Sequence, residues 1–365
     1  MLSKHMRTPV LAVLALSTLA VAAQPVVEFP AGTTRFFDSR VSDAIPAEGG
    51  GVWAATPDGV VRYTEAGPGT AYPVPGGRPY HLAMAGDGSI WVANATLIAR
   101  MSTDGVILEQ YPTTGVRDLA VATDASLWYL RSGSFLGRIA TGTVTEFPAT
   151  EAWSLAPAPD GDIWFLNHGL GTVSDDVRRT TAAGVVTVIP LGHDVLFGRV
   201  QSLADGTLFV GTGIRRSVLR LAPGAETFEV IPLPDSDYLA DHAGNLWTGG
   251  HGWLGYIGRS GSPVLNERMP GDPRNCTNIP AWFYAPMAID LAGDVWIRIY
   301  DGAAYLPLPL PCEEPAPPPM PDFIRVDAST FLQAHAGHDI PTLSLAMLIA
   351  FAAAIVAATL WRMRA

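Results

Sequence analysis

The 365-residue sequence predicts an all-β fold: a seven-bladed β-propeller with an N-terminal strand closing the last blade, plus a C-terminal transmembrane helix. Three observations carry the propeller. A small/polar–Gly–polar–apolar–Trp pattern recurs with anchors at Trp53, Trp91, Trp128, Trp164, Phe209, Trp247 and Trp296, spaced 38, 37, 36, 45, 38 and 49 residues apart. Units of about 40 residues holding several short strands are the signature of propeller blades. The 37 Gly and 31 Pro favour turns and short strands, and no unit shows a helical period.

Residues 1–23 read as a secretory signal. Lys4 and Arg7 precede an apolar run from Val10 to Ala22, and Ala20-Val21-Ala22 is a small-x-small cleavage site. The propeller is expected over residues 24–310. Six anchors follow a turn: Asp87-Gly88, Asp124-Ala125, Asp160-Gly161, Asp205-Gly206, Ala243-Gly244 and Ala292-Gly293. Asp-Gly between apolar runs makes a hairpin because Gly accepts positive φ without steric cost. Units close with a Pro-ended alternating strand, at Thr70–Pro75, Ile107–Pro112, Val144–Pro148, Val186–Pro190, Phe228–Pro232 and Leu265–Pro270. Pro at a strand end suits an outer edge, where a missing donor does no harm. Each blade therefore has a strand before the turn, the Trp strand, a third strand and the Pro-ended strand. The last unit offers Pro286–Ala292, Asp294–Tyr300 and Ala303–Pro307 but no fourth strand. Val26-Val27-Glu28-Phe29-Pro30 is expected to supply it, which joins the first and last blades and removes open edges.

Cys276 and Cys312 flank the last unit. In an oxidising compartment they are expected to form a disulfide, with two free thiols as the alternative. The bridge would close a loop of about 37 residues and stabilise by about 3–4 kcal/mol. Residues 311–339 read as a Pro-rich linker and a polar spacer. The segment 340–365 contains 19 uncharged residues from Leu343 to Trp361, enough to span a bilayer. Arg362 and Arg364 place that end in the cytoplasm and the body outside.

Ile340-Pro341-Thr342-Leu343-Ser344, the apolar helix and Arg-Met-Arg resemble the IPTL-type C-terminal sorting signal of bacterial envelope proteins. That resemblance implies an exosortase-class protease as partner and attachment to the inner membrane through the C-terminal helix. The protein would be exported, and either membrane-anchored or released to the cell surface.

Charge excludes other classes. The two ends hold Lys4, Arg7, Arg362, Arg364 and no acid, so the body keeps all 34 acidic residues and 19 of the 23 basic ones, a net of −15. Such a body repels phosphate backbones, which argues against nucleic acid. Lys4 is the only lysine, so Schiff-base chemistry is excluded from the mature protein. Two cysteines rule out a cysteine-rich zinc or iron–sulfur centre.

Asp160-Gly161-Asp162-Ile163-Trp164-Phe165, Leu136-Gly137-Arg138-Ile139 with Ile257-Gly258-Arg259, and Val144-Thr145-Glu146-Phe147-Pro148 are similar to the repeats of the virginiamycin B lyase (streptogramin lyase) family over about residues 26–310. The resemblance implies a propeller of that type and, for its enzymes, Mg²⁺-dependent opening of a cyclic depsipeptide by elimination, using a His and a Glu. His81 matches the family's His as the candidate catalytic residue. The family's Glu falls three residues after an anchor, where this chain has Thr56, Asn94, Arg131, Asn167, Thr212, Gly250 and Ile299. An amide does not replace a carboxylate as base or metal ligand.

Comparing equivalent positions exposes a second ring. Ten residues before each anchor stand Asp43, His81, Asp118, Ser154, Arg199, Asp237 and Pro286. Five are ionisable in a chain only 16% charged. At the channel mouth, Asp43, His81, Asp118, Arg199 and Asp237 could hold a polar ligand, and Asp43, Asp118 and Asp237 could hold Mg²⁺ or Ca²⁺. Solvated residues at strand starts are the plainer reading. The leading expectation is an exported, envelope-sorted propeller acting as a ligand-binding or interaction module. The alternative is a metal-dependent lyase of the streptogramin type or a lactone hydrolase.

Overall fold

The protein is described by a computed structural model over residues 29–334, apart from 38–39, 133–134, 150–151, 168–173, 196–197, 214–215, 234–236, 251, 262, 270–281 and 302–321. Seven four-stranded antiparallel sheets form the expected seven blades. The first six are each built of consecutive strands, the inner one first. Blade 3, for example, runs through Val116–Val121, Leu127–Arg131, Phe135–Ala140 and Thr143–Pro148.

The core lies between blades. Seven hydrophobic clusters are each shared by two neighbouring blades, which is how a ring of twisted sheets buries both faces of every sheet. Trp128, Trp247 and Trp296 are fully buried. The turns also work as expected. Asp87, Asp124 and Asp205 accept the backbone N–H of the residue two positions on, at 3.1, 2.9 and 2.8 Å.

Each anchor stands directly opposite a third-strand residue. The partners are Arg62, Arg100, Arg138, Arg179, Arg220, Tyr256 and Arg325, in blade order. Arg100, Arg138 and Arg179 lie over the Trp rings at 5.4–5.8 Å and pair with Asp87, Asp124 and Asp160 of their turns. Turn, anchor and third strand are thus fastened by one residue set. This explains the Gly-Arg phrase of blade 3: a Cβ on Gly137 would lie 2.0 Å from the Tyr129 ring. Gly137→Ala is expected to lose about 1–3 kcal/mol in chemical denaturation through overpacking. Ala125 occupies the place of the turn Gly at φ 64°. Ala125→Gly should stabilise by about 1 kcal/mol by the same assay, since a Cβ is disfavoured in the left-handed region.

Closure differs from expectation in its parts. Blade 7 consists of Trp282–Ile289, Val295–Asp301, Phe323–Val326 and, outermost, Thr33–Phe36. An N-terminal strand does complete the blade, but it is Thr33–Phe36, and Phe29 and Pro30 carry no strand. The third strand comes from beyond residue 310, out of the segment read as spacer. Behind it the short helix Ala328–Ala334 buries Phe331 against Trp247, ring centroids 5.7 Å apart. Asp327 caps that helix by accepting the Thr330 N–H at 2.8 Å. The propeller therefore reaches at least to residue 334. Apolar Phe323, Ile324, Val326 and Phe331 fill the two seams beside blade 7, which a solvated spacer would leave empty.

Ala303–Pro307, the 1–23 signal, Cys276, Cys312 and the 340–365 tail lie outside the described residues. Among the described residues no helix is long and apolar enough to cross a membrane.

Candidate functional site

The ring ten residues before the anchors sits at the start of the inner strands, around the channel. In blades 2, 3, 4 and 7 the pairing of inner and second strands slips beside it, at Pro79/His81, Val116/Asp118, Ala152/Leu155 and Pro286/Ala288. Such bulges re-aim a side chain.

Three of the seven ring positions form a structural belt. Inner strands present an open edge of backbone N–H groups to the channel, and these need acceptors. Asp43 accepts the N–H of Leu82 in the next blade at 2.9 Å and that of Ala44 at 2.8 Å. Asp118 accepts the N–H of Leu155 at 2.7 Å and that of Leu119 at 2.9 Å. The Ser154 hydroxyl accepts the Val200 N–H at 3.2 Å. The ring position is thus a staple from one blade to the next, and Asp43 and Asp118 have both oxygens engaged in it.

His81 and Arg199 break this rule. Neither imidazole nor guanidinium makes a hydrogen bond or ion pair with the described residues. Both nevertheless act on Asp43 and Asp118, which places Arg199 of blade 5 across the channel from blades 1 and 3. Burial pushes the Asp43 carboxyl above its ordinary value, against the pull of His81, the Leu82 N–H and Arg199. Burial does the same to Asp118, opposed by the Leu155 N–H and His81.

Carboxyl ¹³C NMR titration should therefore place Asp43 and Asp118 above the ordinary Asp value of about 3.9. Asp87, held down by the Ser89 hydroxyl and N–H, and Asp205, held down by the Thr207 N–H, should titrate below it. A raised carboxyl contributes stability that is complete below the unfolded value and lost as pH rises through the folded one. The lowered pair contribute stability that is lost as pH falls through their folded values.

The mouth is a cavity of about 340 Å³ lined by Asp43, Arg199, Asp237, Ala285, Pro286, Met287 and Arg298. The structure thus brings Asp43, Arg199 and Asp237 to one cavity, with His81 and Asp118 on the adjoining belt. Arg298 was not foreseen. It lies two residues past its anchor, a position the ring comparison did not sample. Among the described residues no three His, Cys, Asp or Glu side chains gather closely enough to hold a metal ion. Asp43, Asp118 and Asp237 form no such group, and two of them accept backbone N–H groups of neighbouring blades.

The ring three residues after the anchors is also structural. Thr56 donates to Gly59 O at 3.0 Å, Asn94 donates to Pro75 O at 2.6 Å and accepts from Thr96 and Leu97, and Arg131 pairs with Glu146 at 2.8 Å. These side chains brace the loops of their own blades.

A streptogramin B lyase structure superimposes with TM-score 0.60 at 17% identity, over 73% of this chain and 93% of that one. The virginiamycin B lyase of Staphylococcus aureus gives 0.55 at 15% identity, over 80% and 97%. The fold is that of the streptogramin lyases. An extracellular domain from B. thetaiotaomicron, described as that of a one component system, also matches, with TM-score 0.55 and 15% identity over 73% of this chain and 38% of that one. No protein-family model matches the chain. No curated protein matches its sequence. At these identities the likeness concerns fold alone, and one propeller type here serves both a lyase and an extracellular domain.

Proposed function

We propose that the chain is an exported, envelope-held binding propeller that takes a small ligand at its channel mouth through Arg199 and His81, and that it is not a metal-dependent lyase. One observation carries this: the belt carboxylates Asp43 and Asp118 are committed to interblade backbone hydrogen bonds, while the Arg199 and His81 side chains make no hydrogen bond with the described residues. A guanidinium whose donors bond no described residue suits an anionic ligand group. Export and attachment rest on the N-terminal apolar run and the IPTL-like tail, which an exosortase-class protease would process. The extracellular domain among the fold neighbours is in keeping with that setting.

Calorimetry and NMR on the full chain with acetate, methylammonium, Mg²⁺ and Ca²⁺ test the reading. Acetate is expected to shift the His81 ring and Arg199 Nε signals, methylammonium and the metals to leave them in place. Saturable Mg²⁺ binding that disappears in Asp118→Ala would instead restore the lyase reading and justify assays on cyclic depsipeptides.

A further inference from the structure

Behind the mouth the channel widens into a chamber of about 900 Å³, within the range of small-molecule sites. All seven blades line it with the later residues of their inner strands, among them Ile45, Met84, Val121, Pro157, Leu239 and Ile289. No acid lines it among the described residues, and Arg199 is the only lining side chain with a permanent charge. Arg199 and Met287 line both chamber and mouth, so they form the neck between the two.

Arg199 stands where blades 1, 3 and 4 carry an acceptor that ties them to the next blade. An Arg side chain only donates, so blade 5 gives up that tie. The loss is made good two residues on. Gln201 donates to Ala240 O at 2.8 Å and accepts the Ala240 N–H at 2.8 Å. The Tyr238 hydroxyl donates to Arg199 O at 3.0 Å and fixes the backbone beneath the side chain. The fold therefore accommodates, at a belt position, a guanidinium whose backbone is held and whose donors are unspent. That is an arrangement for an anionic head group with an apolar body behind it.

We infer that the chamber binds an amphipathic carboxylate, with the carboxylate on Arg199 at the neck and an alkyl or aryl tail along the apolar wall. The inference rests on the reading of Arg199 as a ligand group. Asp43 and Asp237 line the mouth but not the chamber, so a carboxylate on the chamber side of Arg199 meets no acidic wall. The ligand enters head first from the end of the channel where the Asp-Gly turns lie.

Calorimetric titration of the full chain with octanoate, octanol, octylammonium and acetate is the test. Octanoate is expected to bind on the order of 10²–10³-fold tighter than acetate, given a several-fold gain for each buried methylene. Octanol and octylammonium should bind at least about tenfold more weakly than octanoate, and Arg199→Gln should weaken octanoate by a similar factor. Gly86 lines the chamber, and a Cβ built on it meets nothing within 4 Å. Gly86→Phe should therefore abolish the advantage of octanoate and leave acetate unchanged. Octanol binding as tightly as octanoate, or octylammonium being preferred, overturns the inference on the wild-type chain alone. Acetate binding without any gain for octanoate removes the chamber ligand but leaves the mouth reading standing, whereas absence of acetate binding as well removes both.

Discussion

Replacing Arg325 by Ala will cost the fold about 3–5 kcal/mol, read as a fall in the urea midpoint, because it strands a buried carboxylate. Arg325 Nε donates to Asp294 Oδ2 at 3.0 Å, and the two side chains are only 12% and 8% exposed. Asp294 Oδ1 accepts the Ala328 N–H at 3.2 Å, so one carboxylate joins the second strand of blade 7, its third strand and the helix behind it. Burial already raises the Asp294 carboxyl above its ordinary value, with Arg325 as the main opposing influence. Without Arg325 the carboxyl rises further. The cost should then be largest at neutral pH and shrink as pH falls well below the ordinary Asp value of about 3.9, where Asp294 is protonated in folded and unfolded chains alike. Arg138 of blade 3 is the internal comparison. Its partner Asp124 is 40% exposed in its side chain, and Arg138→Ala should lose only about 1 kcal/mol from the ion pair. Equal losses at the two sites would mean that burial of the pair is not what holds blade 7.

Blade number, turns and most outer strands were legible because each unit repeats the same local chemistry at nearly the same spacing. The strand Ile107–Pro112 is observed with those very bounds. Blade 7 departs from that regularity because its third strand, Phe323–Val326, does not follow directly on its second. The structure shows the rule that would have found it. Six of seven anchors oppose an Arg on the third strand, and Ala303–Pro307 contains none, whereas Phe323-Ile324-Arg325-Val326 places Arg325 opposite Trp296. A repeat position defined by a pair of residues locates a displaced strand that a repeat defined by spacing does not.

The site was legible in position but not in role. Asp43, Arg199, Asp237 and Pro286 of the ring ten residues before the anchors line one cavity, and the charges of His81 and Arg199 act on Asp43 and Asp118. Charge alone suggested a cation site. Whether a carboxylate is free depends on which backbone N–H groups the neighbouring blade offers, and that is a tertiary fact. Where the ring serves as a belt of acceptors, the informative residues are Arg199, a pure donor, and His81, whose ring makes no hydrogen bond with the described residues. Departure from a repeated structural rule is where function is to be sought.

Phe36→Ala should lose about 3–5 kcal/mol, as expected for emptying a buried aromatic site, and should do so by opening the ring locally. Phe36 lies on the strand that closes blade 7, paired with Phe323 across the sheet. Its ring stacks on Trp296 at 5.6 Å and 12°, meets Tyr63 of blade 1 edge-on at 5.3 Å, and lies 6.2 Å from Phe323. It therefore fills the seam between the first and last blades, where residues from both ends of the propeller meet. Phe165 of blade 4 is also buried but sits within a blade of consecutive strands. Phe165→Ala should cost a comparable amount while unfolding remains a single event. Hydrogen exchange separates the two. In Phe36→Ala the amides of Phe323–Val326 should lose protection at free energies below global unfolding, with those of blade 4 unchanged, because a closing strand held by side-chain packing can detach without breaking any other blade. A loss below about 1 kcal/mol with full protection retained would show that ring closure does not depend on this seam.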